Sequence, residues 1–188
     1  NIIKNTENGE RETKFKLDEW GRIVKIITPS GIEEKFKYDY AGNIIETENA
    51  KGGKIKYNYN EINKVEEIIY QNNEIERYTY DEEQNLSEMT KRSGQKIEYK
   101  YNIYKSIVEK ATSDKKLYNR YKYDKGGRLK HAYTKEMAYT YDYDVMGRLK
   151  QKTASGKTLV RYQYDPNGNI SLMTDITGKS VEYEYDYL

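Results

Sequence analysis

The sequence has no cysteine and only one histidine among its 188 residues. Without cysteine there is no disulfide framework, no Cys₄ zinc site and no thiol nucleophile, and one histidine cannot form a cluster of metal ligands. No apolar stretch approaches the roughly 18–20 residues that span a bilayer. The composition therefore predicts no metal, no cofactor and no membrane span.

Charge of one sign is also lacking, since 33 Lys and Arg face 31 Asp and Glu. A protein that binds nucleic acid through bulk charge would be strongly basic, so no nucleic-acid partner is predicted. A charged fraction of 34% and a mean hydropathy of −1.11 are typical of disordered chains. Disordered chains are poor in aromatic residues, however, whereas this chain is 13% aromatic.

The aromatic residues recur in the pattern aromatic-x-aromatic-Asp/Asn at intervals of 20–22 residues. Fifteen of the 22 tyrosines and both phenylalanines fall in its two aromatic columns. These ladder residues are Phe15, Phe36, Tyr38, Tyr57, Tyr59, Tyr78, Tyr80, Tyr99, Tyr101, Tyr121, Tyr123, Tyr141, Tyr143, Tyr162, Tyr164, Tyr183 and Tyr185. Such a fixed period is the mark of a repeat architecture.

A turn follows the aromatic pair in every copy. The Asp side chain can accept hydrogen bonds from nearby backbone amides, and the Gly three residues later tolerates a positive φ. The pairs are Asp18 and Gly21, Asp39 and Gly42, Asp124 and Gly127, Asp144 and Gly147, and Asp165 and Gly168. In the middle copies Asn63, Gln84 and Lys105 take the place of the Gly.

Each copy is predicted to contain two strands and two turns. Apolar and polar residues alternate in the aromatic segment, which indicates a strand with one buried face. An aliphatic residue begins the second strand. Which face of that strand is buried is not predicted, because residues 23–27 are apolar at both odd and even positions. We predict an all-β fold in which tandem repeats of about 21 residues form β-hairpins. Together they would make one long curved or spiralling antiparallel sheet, a partial shell.

The predicted array covers residues 1–188 as a single domain of about eight to nine units, with both ends inside repeats. Strands at the two ends would then present unpaired edges, and unpaired edges associate. We therefore expect edge-to-edge self-association.

The motif Tyr-x-Tyr-Asp-x-x-Gly-Asn/Arg-Leu/Ile resembles the YD repeat of the RHS/YD-repeat family. The best matches are residues 141–149, 162–170 and 36–44, and the resemblance covers essentially the whole chain. The family includes bacterial polymorphic toxins, wall-associated proteins, shell components of insecticidal toxin complexes and animal teneurins. The sequence contains neither the self-cleaving core segment of RHS proteins nor a toxin domain.

The resemblance implies a structural role rather than an enzyme. In the family the repeats form a β-strip that winds into a hollow shell, and in bacterial toxins the shell encloses a variable C-terminal domain. The expected protein is thus a shell segment of a secreted or cell-surface bacterial protein. Its expected partners are the remaining repeats and the C-terminal cargo domain of the parent chain.

Alternatives arise from the same residues. Exposed tyrosine faces would suit glycans or cell-wall polymers, because aromatic rings stack on the C–H surface of sugars and hydroxyl groups can bond to sugar hydroxyls. Residues 165–169 faintly resemble a calcium loop, but their Gly is fourth rather than sixth, and turn formation explains them. His131 is predicted to be a solvated strand residue, since nothing in the sequence supplies a nucleophile beside it.

Overall fold

The computed structural model describes residues 2–7 and 11–186, and it divides into two compact units, residues 1–96 and 97–188. Every element in the described part is a β-strand, and consecutive strands within each unit pair antiparallel. The all-β class and the antiparallel hairpins predicted from the repeat are confirmed. The described residues include no helix long and apolar enough to cross a membrane.

Over its described residues, 2–7 and 11–96, the first unit contains nine strands. They are β1 (Ile2–Glu7), β2 (Arg11–Leu17), β3 (Ile23–Ile27), β4 (Glu33–Tyr38), β5 (Ile44–Glu48), β6 (Lys54–Tyr59), β7 (Val65–Ile69), β8 (Ile75–Tyr80) and β9 (Leu86–Thr90).

The second unit, as far as residue 186, also contains nine strands, the first of which begins at the last residue of the first unit. They are β10 (Lys96–Tyr101), β11 (Ile107–Thr112), β12 (Tyr118–Tyr123), β13 (Leu129–Tyr133), β14 (Ala138–Tyr143), β15 (Leu149–Ala154), β16 (Lys157–Tyr164), β17 (Ile170–Asp175) and β18 (Ser180–Glu182).

The repeat fixes where the strands begin and end. Strand β4 stops at Tyr38 and β5 begins at Ile44, with the Asp-x-x-Gly turn between them. The Asp39 amide donates to the Asn43 carbonyl (2.9 Å) and the Gly42 amide to the Asp39 carbonyl (3.2 Å). This is a three-residue hairpin loop whose last residue is left-handed, a common connection between antiparallel strands.

Every hairpin that joins an aromatic strand to the following aliphatic strand contains a β-bulge. Tyr38 lies opposite Ile44, whereas Lys37 lies opposite Glu46, so Ile45 is an extra residue in β5. The same shift occurs in all eight such hairpins. An extra residue interrupts the two-residue alternation of faces, which explains why the aliphatic strands are apolar in both parities.

The two faces of each sheet differ in chemistry. In β6 Ile55, Tyr57 and Tyr59 are half-buried, while the residues between them are exposed. The opposite face carries cross-strand ion pairs such as Lys35–Glu48 (2.7 Å) and Lys37–Glu46 (3.0 Å). Exposed pairs of this kind contribute little each, so the aromatic face and the backbone ladders supply most of the stability.

The core is thin, as expected for a single sheet. In the second unit the buried side chains include Ala111, Ala132, Ala154 and Thr112. Among the described residues no large side chain is completely buried. Each repeat therefore depends on its neighbours rather than on a central core.

Candidate functional site

The ladder residues line one face of their strands. From Phe15 to Tyr164 they are all half-buried, whereas Tyr183 and Tyr185 are exposed. Partial burial has an electrostatic consequence, because desolvation raises the pKa of Tyr59, Tyr80 and Tyr164 above its ordinary value. These rings are neutral packing elements at physiological pH.

In seven repeats the second aromatic residue forms a hydrogen bond that joins the repeat to its neighbour. The Tyr38 hydroxyl donates to the Ile23 carbonyl (2.8 Å), and the Tyr59 hydroxyl donates to the Ile44 carbonyl (2.7 Å). We call this contact the tyrosine latch. The tyrosines that form it are Tyr38, Tyr59, Tyr80, Tyr123, Tyr143, Tyr164 and Tyr185.

The latch occupies a gap in the backbone ladder. Strands β3 and β4 pair from Ile27–Glu33 to Lys25–Lys35, and the pairing stops before it reaches Ile23. The Ile23 carbonyl lies beside the bulge, where a backbone acceptor would otherwise lack a ladder partner on this side. A tyrosine hydroxyl from the next repeat supplies the donor.

The Asp turns are held by their own carboxylates. In the first turn Asp18 Oδ1 accepts from the amides of Trp20 (3.0 Å) and Arg22 (2.8 Å), and Oδ2 accepts from Arg22 Nε (2.7 Å). In the next turn the Asn43 amide and side chain bond to Asp39 in the same way. The predicted turn residues Asp124 and Gly127, Asp144 and Gly147, and Asp165 and Gly168 lie in equivalent turns.

These hydrogen bonds favour the ionised carboxylate. The side-chain hydrogen bond from Asn43 lowers the pKa of Asp39, partial burial opposes this, and backbone amides lower the pKa further. For Asp124 the largest cause is the hydrogen bond from the Arg128 amide, which also lowers the pKa. The turn aspartates are therefore structural acceptors rather than proton donors.

The residue after the turn Gly reaches the next repeat. Arg22 Nη1 donates to the Asp39 carbonyl (3.0 Å), and its guanidinium lies 4.7 Å from the centroid of the Tyr38 ring. Arg148 lies likewise 4.4 Å from the centroid of the Tyr164 ring. Cation–π contact and hydrogen bonding together align successive turns.

The middle repeats keep the turn geometry without the Gly. Asn63, Gln84 and Lys105 have φ values of 62°, 67° and 60°, in the left-handed region that Gly occupies elsewhere. Asn tolerates this region, but Gln and Lys adopt it at a cost. The turn backbone is therefore left-handed at this position in the middle repeats as well, although the residue there is not Gly.

One carboxylate on the aromatic face departs from the pattern. Glu76 stands where β6 has Ile55, and its Oε2 accepts from the hydroxyls of Tyr70 and Tyr78 (3.0 Å each). Desolvation, followed by this hydrogen bond, raises the pKa of Tyr78 to about 12. The cluster is a saturated hydrogen-bond network and offers no nucleophile.

The other candidate groups are also held in local contacts. His131 Nδ1 lies 3.3 Å from Thr140 Oγ1, and its ring stacks near Tyr133 with centroids 6.1 Å apart. Asp165 accepts from both the amide and the side chain of Asn169. Within residues 2–7 and 11–186 no group of three or more His, Cys, Asp or Glu side chains is placed to hold a metal ion.

Sequence reasoning missed the latch, the Arg contact and the bulge. One signal for the latch was present, because the first aromatic column includes Phe15 and Phe36, whereas every aromatic in the second column is Tyr. Apart from Leu17 in the first copy, this column holds Tyr and never Phe, which indicates a required hydroxyl group.

Comparison with solved structures shows the same fold. A chain of the TcdB2-TccC3 complex superposes with a TM-score of 0.67 at 16% identity, over 87% of this chain and 12% of that chain. A Photorhabdus luminescens Tc holotoxin pore gives 0.64 at 15% identity, over 87% and 12%. TcdB2-TccC3-Cdc42 gives 0.63 at 14% identity, over 92% and 12%. This chain thus spans about an eighth of the length of these relatives, and identities so low concern the fold alone.

Comparison with curated proteins found no match to this sequence. Family models do match: the teneurin YD-shell over residues 1–104, and the RHS repeat over residues 143–179. The first match covers more than half of the chain and includes the hairpins from β2 to β9, with their Asp turns and latches. The chain therefore belongs to the teneurin YD-shell family.

Proposed function

We propose that this chain is a wall segment of a hollow YD shell, which encloses a C-terminal cargo domain of its parent protein. The observation that supports it is the tyrosine latch, which repeats with nearly constant geometry between successive repeats of each unit. Oxygen–oxygen distances of 2.7–2.9 Å recur from Tyr38 to Tyr164. A wall built from repeats laid side by side needs a contact that each repeat can make with the next one.

The two faces suit such a wall. Ion-paired Lys and Glu side chains lie on one face, which is exposed to solvent, and half-buried aromatic rings cover the other. The latch hydroxyls and the turn carboxylates are engaged in internal hydrogen bonds, which favours a passive barrier over a catalytic surface. We propose further that the parent protein is secreted or displayed on a bacterial surface, as toxin shells of this fold are.

Limited proteolysis of the full-length parent, followed by mass spectrometry, tests the containment role. We expect a resistant repeat block inside which the C-terminal domain survives uncut. A parent variant with Tyr59→Phe, Tyr143→Phe and Tyr164→Phe should expose that domain to cleavage, because three latches are lost. A matched variant with Tyr57→Phe, Tyr141→Phe and Tyr162→Phe should protect it as the native protein does.

Containment would be contradicted if the C-terminal domain were cut as fast as it is when expressed alone. It would also be contradicted if the latch variant and its matched control behaved alike. The alternative of a glycan-binding module built on the tyrosine ladder has weaker support, because the latch hydroxyls bond internally and the rings are half-buried.

A further inference from the structure

One row of turn tips in the second unit carries large apolar side chains. The turns at residues 102–106, 124–128 and 144–148 lie at the same end of their strands, because each joins an aromatic strand to the aliphatic strand that follows it. Two strand widths separate neighbouring tips, so the row is about 20 Å long. We call it the apolar tip row, and its exposed apolar residues are Ile103, Tyr104, Val145 and Met146.

The apolar side chains of this row extend into solvent. Val145 is fully exposed, and Ile103 and Tyr104 are 86% and 80% exposed. Exposed apolar side chains that are grouped in this way mark sites of contact with another protein or with a membrane.

The charges on the row distinguish it from the equivalent turns of the first unit. Lys105 and Lys125 are exposed on the row, and its three turns contain no glutamate. The arginine that ends each of the last two turns is paired with the turn aspartate at 2.7 Å, so the lysines give the row its positive charge. The equivalent turns of the first unit instead carry exposed acidic residues at their tips, namely Glu19, Glu61, Glu82 and Glu83.

We infer that the apolar tip row docks on the surface of an anionic lipid bilayer, with its apolar side chains inserted among the headgroups. Peripheral binding to a bilayer gains from buried apolar area and from attraction between lysines and anionic lipids, and the row offers both. Tyr104 suits the headgroup region, because its ring is apolar and its hydroxyl is polar.

A folded protein partner fits the row less well. The turn that contains Lys125 separates the tips of Tyr104 and Val145, and a cleft of about 810 Å³ lies beside Tyr104, with Gly126 and Gly127 in its lining. A protein hot spot needs surrounding contacts that exclude water, which a rigid surface would not make across this gap. Lipids are fluid and can fill it. The inference does not rest on the shell role, because it concerns turn tips and uses no cargo.

Co-sedimentation of this chain with large vesicles tests the docking. The chain should bind vesicles of phosphatidylcholine with about 30 mol % phosphatidylserine at about 0.1 M salt, and it should bind pure phosphatidylcholine at least about tenfold more weakly. Val145→Ser combined with Met146→Ser should weaken binding at least about tenfold, and Lys125→Gln should weaken it about fivefold. Circular dichroism would verify that the variants keep the fold.

Tyr40→Ser combined with Ile62→Ser is the matched control, because it removes exposed apolar side chains from the turn tips of the first unit. Its affinity for the anionic vesicles should stay within about twofold of the native value. An equal loss in this control would overturn the inference, and so would no binding at about 1 mM lipid.

Tryptophan fluorescence reports which unit meets the lipid. Trp20, the only tryptophan of the chain, lies on a turn of the first unit, and its emission should not change when vesicles are added. Tyr104→Trp in a Trp20→Phe background should shift the emission to shorter wavelength, because the indole enters the headgroup region. A shift of Trp20 without a shift in the Tyr104→Trp variant would overturn the inference. So would a dimer that is lost in Val145→Ser with Met146→Ser, in a chain that does not bind vesicles, because the row would then contact a second copy.

Discussion

At the residue scale, a single hydroxyl group distinguishes the two aromatic columns. Rings of both columns pack on the same face, but only the second column donates to a neighbouring backbone carbonyl in the contacts described above. A hydrogen bond that satisfies a partly buried carbonyl costs more to lose than it contributes on average. The tyrosine hydroxyl is therefore a stability determinant at each repeat boundary.

We expect a Tyr→Phe substitution to lower the free energy of unfolding more in the second aromatic column than in the first. Tyr59→Phe should lower the free energy of unfolding by about 1–2 kcal/mol, because the Ile44 carbonyl loses its donor. Tyr57→Phe, in the first column of the same strand, should change it by less than about 0.5 kcal/mol. Urea denaturation followed by circular dichroism measures both, and equal losses would show that the latch hydroxyl contributes nothing specific.

The left-handed turn positions predict a stabilising substitution. Gln84 has φ of 67° and is exposed, so Gln84→Gly should raise the free energy of unfolding by about 0.5–1 kcal/mol. The converse change, Gly42→Ala, should lower it by about 1–2 kcal/mol. A Cβ at Gly42 would meet no atom within 4 Å, so backbone strain is the sole cause. Thermal denaturation should show the two shifts in opposite directions, and shifts of the same sign would contradict the assignment.

The turn aspartates predict a loss of stability in acid. The folded-state pKa of Asp39 is lowered, so its contribution is present above the unfolded value of about 3.9 and is lost as the pH falls through the folded value. The Tm should fall between about pH 5 and pH 3. Asp39→Asn should reduce this fall, since Asn60 supports the equivalent turn of the next repeat through its Oδ1 without an ionisable group. An unchanged pH profile in the variant would contradict the role of Asp39.

At the scale of elements, the bulge and the tyrosine latch are coupled, because the bulge positions the carbonyl to which the tyrosine donates. Where the latch is described, the extra residue of the aliphatic strand lies next to the carbonyl that receives the tyrosine hydroxyl, as Lys150 lies next to Leu149. Bulges bend a strand and re-aim its groups. The bulge thus presents a carbonyl sideways to the next repeat.

Deletion of Lys150 tests this coupling. Without the extra residue the hairpin would pair regularly and the Leu149 carbonyl would turn away from Tyr164, at a cost of about 1–2 kcal/mol. Tyr164→Phe should then add little in the deletion background, which a double-mutant cycle measures. Lys150→Ala, which keeps the bulge, should stay within about 0.5 kcal/mol of the native protein. If the losses in the free energy of unfolding were fully additive, the bulge and the latch would be independent of each other, which would contradict the coupling.

Much of this element structure was predictable from the sequence. The two-residue alternation predicted the aromatic strands, and the Asp-x-x-Gly spacing predicted the turns after Tyr38 and Tyr143. The bulge was not predicted, because its one sign in the sequence, the apolar residues of both parities in residues 23–27, does not by itself distinguish an extra residue from a strand buried on both faces. The positive φ of Lys105 was hidden for a similar reason, since a repeat can impose a backbone geometry that its local residue disfavours.

At the scale of the whole molecule, repetition replaces a core. Burial of the aromatic pair and the aliphatic residue of one repeat does not offset the conformational entropy lost when that repeat is ordered. Each repeat therefore relies on the backbone ladders and latches that it shares with its neighbours. The curvature of the sheet and its continuity as one array over residues 1–188 stay predictions, as does self-association through its edges.

The edge association has a direct test. Strand β18 pairs with β17 through Leu172–Thr174, and its own residues are exposed. Sedimentation velocity should show a concentration-dependent dimer of this chain. Val181→Lys should weaken the dimer, because charged residues on an edge disfavour further strand pairing. Ser113→Lys, in a turn distant in sequence from β18, should leave it unchanged. A monomer at all concentrations would contradict the prediction.

An electron cryomicroscopy structure of the full-length parent would test the proposal that these repeats enclose a cargo domain. We expect the strip formed by these repeats to surround a cavity that holds the density of the C-terminal domain. A strip that leaves that domain outside, in open solvent, would rule the proposal out.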